Sequence, residues 1–326
     1  MNWPQNGESS LVVVLAETRA YEHTFDLFKK NILDNFQADL CLCVADNERE
    51  DVNNPFYRHA KYVWSYTEPN DWGDAFDDAQ RQSGFAGEWR SLLRVGNQWL
   101  GGIRGEAQHP GSAGILLFFR WFLKHQLLTT GTISQYDRFI VTRSDFIHLI
   151  PHVPLELLRR DYIWIPFGED YGGYTDRHII ANQSDILSVL SITDPVISEP
   201  EKLAAEMRHF SGWNLERFIK FSFDRQGLTT RVKRYPYTMY SIRSIGGHTR
   251  WMRGHFNEQL GYCIKYPNEY KRFELAKLLI REKSDWSATK VHLLNALVYI
   301  QTRRHLQSLI RRTRLGAIVR RLASSG

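Results

Sequence analysis

The chain has 326 residues, 43% of them hydrophobic, and a formal net charge of +6, so it can bury a substantial core in one large domain. Its three cysteines, Cys41, Cys43 and Cys263, cannot all pair, and two of them alternate within an apolar run, which disfavours a disulfide framework and a zinc site. No basic leader precedes the first apolar run, and no apolar stretch approaches the ~20 residues that cross a bilayer, so we expect a cytoplasmic protein.

The first third of the chain alternates strand-like and helix-like segments. Strand-like runs at residues 11–16, 40–45 and 61–66, the first of them β-branched, predict three strands, and phenylalanines at helical spacing within residues 23–36 predict an amphipathic helix between the first two. Asp71 is expected to cap the helix that follows the third strand. This alternation predicts right-handed βαβ units in an α/β fold with a mostly parallel sheet.

The next segment combines a glycine-rich stretch with a buried helix. Residues 84–114 are rich in glycine around a short helix at residues 88–100, which predicts a mobile loop over a site. Residues 115–128 are apolar nearly all round and predict a helix that lies on the sheet. Arg120 interrupts that helix, and a buried arginine needs a carboxylate or a phosphate, so we expect an acid near the end of the next strand as its partner.

The chain is organised around residues 136–150, YDRFIVTRSDFIHLI, where an apolar strand feeds into the polar sequence TRSD. The carboxyl end of a strand in an open α/β sheet faces the ligand crevice. We interpret Asp145, which ends this sequence, as a carboxylate that faces a metal ion. The alternative is that Asp145 caps the next turn or pairs with Arg143, and the local sequence favours neither.

The second half of the chain predicts a loop of chemical interest between further elements. Residues 167–178, FGEDYGGYTDRH, follow a predicted strand and concentrate acids, glycines, Arg177 and His178. The other predicted elements are a strand at residues 162–166, helices at residues 185–190, 199–223, 273–281 and 286–319, and a hairpin or edge pair at residues 229–234 and 237–243.

The C-terminal segment is basic. From residue 287 to the end the chain has no Asp or Glu but eight Lys and Arg, opposite a stripe of leucine and isoleucine. This pattern favours docking to an anionic membrane surface. Contact with nucleic acid is a second interpretation, and a helix packed on the body with a solvated basic face is a third.

The order LVVVLAETR, LCLCVADN, buried helix, YDRFIVTRSD and GEDYGGYTDRH resembles the glycosyltransferases of the GT-A fold, especially small bacterial and viral ones with R-S-D in place of D-x-D. The resemblance covers residues 11–190. It implies a Rossmann-like mixed sheet and transfer of a sugar from a nucleoside diphosphate sugar, most simply a UDP-sugar, with Mn²⁺ or Mg²⁺. The acceptor would be a saccharide or a lipid-linked molecule of surface polysaccharide synthesis, and the enzyme could lie at the inner face of the membrane.

The resemblance also implies roles for particular residues. Asp176 is the first choice and Asp170 the second for the base of an inverting transfer, and a loop salt bridge or turn is the structural alternative for each. Asp145 and His248 would hold the metal. Arg143 stands where D-x-D enzymes have their first aspartate, so the arginine itself could neutralise phosphate. Residues that would bind the nucleotide are Glu17, Thr18, Arg19, Arg120, Thr142, Arg143 and Ser144.

Two other function classes compete with glycosyl transfer. A nucleotidyl- or phosphotransferase would share the sheet and the metal, but residues 17–20, ETRA, are not the glycine-rich phosphate loop that would favour it. A non-catalytic basic module would bind membrane or nucleic acid, although we expect no nucleic acid partner.

We predict a catalytic domain at residues 1–272 and a helical basic extension at residues 273–326.

Overall fold

The computed structural model describes residues 8–46, 53–96, 98–105, 110–247 and 249–312, with side chains as far as residue 300. Eleven strands occur within these ranges: β1 Ser10–Ala16, β2 Asp39–Ala45, β3 Tyr62–Tyr66, β4 Arg138–Thr142, β5 Phe146–Ile147, β6 Ile163–Phe167, β7 His178–Asn182, β8 Val232–Pro236, β9 Tyr240–Arg243, β10 His255–Asn257 and β11 Tyr262–Ile264. The α-helices are α1 Tyr21–Phe28, α2 Asp34–Phe36, α3 Pro55–His59, α4 Trp72–Ser83, α5 Ala113–Thr129, α6 Gln183–Leu190, α7 Asp194–Ser198, α8 Pro200–Met207, α9 Leu215–Arg225, α10 Pro267–Leu279 and α11 Ala288–Arg312.

A seven-stranded sheet in the order β3-β2-β1-β4-β7-β6-β8 forms the centre of the fold. Every neighbouring pair is parallel except those that involve β7, which runs antiparallel to both β4 and β6. Helices cover both faces, because alternate residues of β1 enter two separate cores, Leu11 and Val13 on one side and Val12 and Val14 on the other. The prediction of an α/β fold with a mixed, mostly parallel sheet is therefore confirmed.

A second sheet of four short strands, in the order β10-β11-β9-β5, is attached at the end of β4. The chain leaves β4 at Thr142 and enters β5 at Phe146, so residues 143–145 connect the two sheets. The expected hairpin or edge pair is wrong, because β8 joins β6 in the large sheet whereas β9 pairs with β5 and β11 in the small one.

Several helices agree with their sequence patterns and one does not. Asp71 caps α4 as predicted, since its carboxylate accepts a hydrogen bond from Gly73 N at 3.0 Å. The helix expected at residues 199–223 is two helices, because α8 ends at Met207 and α9 begins after Asn214, whose side chain accepts from Arg217 N at 2.8 Å. An N-cap of this kind starts a new helix.

The glycine-rich stretch packs more tightly than its composition predicts. Trp89 and Trp99 are buried in the core, and Gly114 N donates to Gly101 O at 2.9 Å. A Cβ atom at Gly101 would overlap the carbonyl oxygen of Pro110, so this glycine permits a close approach of two backbone segments.

The C-terminal helix α11 packs on the body over its first turns. Val291, Leu294 and Val298 are buried, and Asn295 Nδ2 donates to the carbonyl oxygen of Arg234 at 3.1 Å. Residues 313–319 of the predicted helix lie outside the described residues, and membrane docking stays a prediction. The predicted domain boundary between residues 272 and 273 also stays a prediction, and it falls within α10. No helix in the described part of the chain is long and apolar enough to cross a membrane.

Candidate active site

The connection between the two sheets places the Asp145 carboxylate between the guanidinium groups of Arg143 and Arg243. Its carboxylate accepts hydrogen bonds from Arg143 Nε at 3.2 Å and Arg143 Nη2 at 2.9 Å, and it forms an ion pair with Arg243 Nη1. Only 3% of the side chain is exposed. Burial alone would raise the pKa of Asp145, but Arg143 and Arg243 outweigh burial and hold the pKa well below its usual range. The carboxylate is therefore ionised and fully engaged.

Arg143 also reaches the loop that was predicted to carry the base. Its Nη1 lies 3.5 Å from Asp176 Oδ2, so one guanidinium bridges two carboxylates. Arg120 supports the same loop, since its Nη2 donates to the carbonyl oxygen of Asp176 at 3.0 Å and its Nη1 to Leu116 O at 3.1 Å. The expectation of an acidic side-chain partner for Arg120 is wrong in detail: the arginine hydrogen-bonds backbone carbonyls, one of which belongs to the predicted base.

The small sheet supplies two further cations. Arg243 ends β9, and Lys265 directly follows β11, where its N–H donates to Ser241 O at 2.9 Å. Both side chains are buried. Burial, and then the charges of Arg143 and Arg243, lower the pKa of Lys265 to about 6. Cations from strands that lie far apart in sequence therefore converge beside Asp145.

A cavity of about 290 Å³ opens over this cluster. It lies at the edge where β1 and β4 end and where the antiparallel β7 begins, which is why residues before β7 meet residues after β4. Six basic and two acidic side chains line it: Arg19, Arg143, Arg177, Arg243, Arg250, Lys265, Asp176 and Glu216. Trp251 and Tyr171, which are 43% and 49% exposed, add two aromatic rings. The site thus suits an anionic ligand with an apolar or carbohydrate portion.

Glu216, in the first turn of α9, faces the same cavity as Asp176. Burial, and then the charge of Asp176, raise the pKa of Glu216 to about 7. Gly173 permits this arrangement, because a Cβ atom there would overlap the carbonyl oxygen of Glu216, to which Tyr174 N donates at 2.9 Å. This glycine therefore lets the N-terminus of α9 approach the loop closely.

A buried network forms the wall behind the cavity. Glu269, on α10, is fully buried and pairs with Arg177 Nη1. Its other oxygen accepts from Ser241 N at 2.7 Å and from Ser241 Oγ at 2.8 Å, while Arg177 also donates to Tyr237 Oη at 2.7 Å. This network fixes the start of β7 to α10 and to the small sheet.

The predicted nucleotide-binding residues divide into two groups. Glu17, Arg19, Arg143 and Ser144 line one small pocket beside the cavity, together with Asp145, the predicted metal ligand. Ser144 Oγ donates to Glu17 O at 3.0 Å and to Arg19 O at 3.3 Å, so it holds the segment after β1 in place.

The other members point into the protein. Thr18 is buried and accepts from Asn54 Nδ2 at 2.7 Å, and Thr142 lies in β4, where its Oγ1 is 3.0 Å from His178 Nδ1. Neither lines the cavity.

One other predicted site residue, Asp170, does not line the cavity. Asp170 pairs with Arg234, and burial raises its pKa, but it is not among the side chains that line the cavity. His248 lies outside the described residues.

The Mn²⁺ or Mg²⁺ ion stays a prediction. Asp145 is the predicted ligand within the described residues, so its carboxylate oxygens would have to be free to coordinate the ion. Both oxygens of Asp145 accept from guanidinium groups, and Lys265 and Arg19 add positive charge nearby. No group of three or more His, Cys, Asp or Glu side chains within the described ranges is arranged to hold a metal. A divalent cation binds carboxylates that are free to coordinate it. The surroundings of Asp145 therefore do not fit the ion.

Sequence reasoning missed Arg243, Lys265 and Glu216. Glu216 lies two residues after the N-cap Asn214, a signal that would have broken the long predicted helix and placed this acid in the first turn of a helix. The two cations carried no local signal. They reach the site through pairing of β9 and β11 in a sheet that the sequence did not predict.

The chain matches no protein-family model and no curated protein sequence. Among solved structures, the apo form of mouse xyloside xylosyltransferase 1 is similar at 11% sequence identity and a TM-score of 0.35, over 69% of this chain and 84% of that one. A likeness at this level carries no argument about activity.

Proposed function

We propose that this protein is a glycosyltransferase that moves a sugar from a nucleoside diphosphate sugar to a hydroxyl group of a saccharide or lipid-linked acceptor. The observation that carries the proposal is the cavity at the carboxyl edge of the parallel strands, in which six basic side chains meet two acidic ones. In an open α/β sheet this edge is where nucleotides bind. A UDP-sugar is the donor we expect, and surface polysaccharide the product.

The cations suit the donor and the carboxylates suit the acceptor. In the reaction the bond between the anomeric carbon and the diphosphate oxygen breaks, and its electron pair leaves with the nucleoside diphosphate. The acceptor oxygen bonds to the anomeric carbon, and its proton passes to a carboxylate. Trp251 and Tyr171 offer exposed rings on which an acceptor sugar can stack.

The base belongs to the pair Asp176 and Glu216. Asp176, the residue predicted from sequence, is held by Arg143. Glu216 has a pKa raised to about 7, the range in which a carboxylate exchanges protons near neutral pH. We assign to Glu216 the role of the base that accepts the proton, and to Asp176 the role of holding Arg143 in position. A single base that activates the acceptor is the scheme of an inverting transfer.

The test is release of nucleoside diphosphate from a panel of sugar nucleotides, with Asp176→Asn and Glu216→Gln beside Asp161→Asn. Asp161 pairs with Arg159 at 2.5 Å on the surface, so its variant controls for the loss of one negative charge. Loss of a general base lowers turnover by about 10²–10⁴-fold. Wild-type turnover should also rise with pH through about 7, and Glu216→Gln should remove that step. Full turnover in both cavity variants would refute the proposal.

A further inference from the structure

Three basic side chains at the base of the cavity, Arg143, Arg243 and Lys265, do not each have a carboxylate of their own. Arg143 and Arg243 share the carboxylate of Asp145. Lys265 is 8% exposed and forms no ion pair or side-chain hydrogen bond within the described part of the chain. Its Nζ lies 4.9 Å from the centroid of the Tyr266 ring, and the side chain lines the cavity. A buried lysine without an ion-pair partner is costly whether its amine is charged or neutral, so it indicates a ligand.

We infer that Arg143, Arg243 and Lys265 form a diphosphate subsite that works without a divalent cation, with Lys265 in the charge-neutralising role that a metal ion would otherwise fill. The inference rests on the proposed function and identifies the group that stabilises its leaving diphosphate. The electron pair of the broken glycosidic bond stays on the phosphate oxygen, and the two guanidiniums and the ammonium offset that charge.

The arrangement around Asp145 explains why cations replace a metal here. Asp145 is the acid at the place where the resemblance predicts a metal ligand, yet Arg143 and Arg243 occupy its oxygens. An ion would have to displace both guanidiniums and then sit beside Lys265. Asp145 is better described as the residue that positions Arg143 and Arg243 toward the cavity, since both line it.

The protonation of Lys265 is consistent with this role. In the ligand-free protein, burial and the neighbouring arginines lower its pKa to about 6. A bound diphosphate adds negative charge at the cavity and favours the ammonium form. The bound diphosphate therefore supplies the negative counter-charge that Lys265 lacks in the ligand-free protein.

The inference is tested by binding of UDP, GDP, ADP and CDP to the full-length protein, measured by titration calorimetry in EDTA and again with MnCl₂. Lys265→Met removes the charge at similar length, and Lys265→Arg keeps it. Lys220→Met is the matched control, because Lys220 pairs with Asp224 at 2.7 Å on the surface of α9 and lies outside the cavity. The melting temperature of each unliganded variant checks that it folds.

We expect at least one nucleoside diphosphate to bind in EDTA with the same affinity as with Mn²⁺. Lys265→Met should weaken that binding by roughly ten- to a hundredfold, the value of a hydrogen bond to a charged group, and Lys265→Arg should restore most of it. Binding that requires Mn²⁺, or that is unchanged in a folded Lys265→Met protein, would overturn the inference and leave the proposed function standing. Absence of binding in both conditions would overturn the proposed function as well.

Discussion

Replacement of Lys265 with methionine is expected to stabilise the unliganded protein. The pKa of Lys265 falls from its ordinary value of 10.5 to about 6, chiefly through burial. At pH 7 the folded protein therefore keeps the amine neutral, whereas the unfolded chain binds a proton. At about 1.4 kcal/mol per pH unit between pH 7 and the ordinary pKa, this costs up to about 5 kcal/mol of folding free energy. Methionine fills similar volume without that cost.

The pH dependence has a definite sign. Between pH 6 and 10.5 the unfolded state binds more protons than the folded state, so wild-type stability rises with pH. The advantage of Lys265→Met should therefore be large at pH 7 and shrink as the pH approaches 10. Urea unfolding at several pH values measures both free energies, with Lys220→Met as the control for removal of a lysine from the surface. A variant less stable than the wild type at pH 7, or an advantage independent of pH, would refute the reasoning.

Three other changes test the surrounding structure. Gly173→Ala should lower turnover while the protein stays folded, because its methyl group displaces the loop from the carbonyl of Glu216; wild-type kinetics in this variant would show that the loop tolerates the shift. Glu269→Gln should cost about 3–5 kcal/mol in urea unfolding, since it removes the carboxylate that pairs directly with the buried Arg177, and a loss under 1 kcal/mol would contradict a tight pair. Between pH 6.5 and about 4, His152 should lower stability by about 1.4 kcal/mol per pH unit, and His152→Phe should remove this contribution, because burial lowers the pKa of His152 to about 4.

The cavity combines strong charges with incomplete pairing. Lys265 forms no direct ion pair within the described residues, and the pKa of Glu216 is raised to about 7 although this residue lies at a helix N-terminus. Both arrangements cost stability, and each side chain lines the cavity. Such costs are typical of sites that recover them when a ligand binds.

The chain's own sequence was sufficient for strands β1, β2, β3, β4 and β6 of the central sheet. A β-branched run predicted β1 and an apolar run predicted β2 almost to the residue, because strands covered on both faces need apolar side chains at every position. The buried helix α5 was likewise evident from apolar residues on all sides. Asp145 lies three residues after β4, at the carboxyl edge of the parallel strands as the sequence predicted, since the end of a parallel strand has a fixed place in an open sheet; its role toward a ligand stays a prediction.

Only the tertiary structure decided what surrounds Asp145. Arg243 lies 98 residues further along the chain and reaches Asp145 because β9 pairs with β5, and Lys265 follows from β11 beside β9. Short strands of three or four residues carry too little periodicity to reveal such pairing. A local pattern records which face of an element is apolar, whereas the partners of a charge depend on contacts between distant segments. The acid could therefore be found from sequence, and the cations that occupy its oxygens could not.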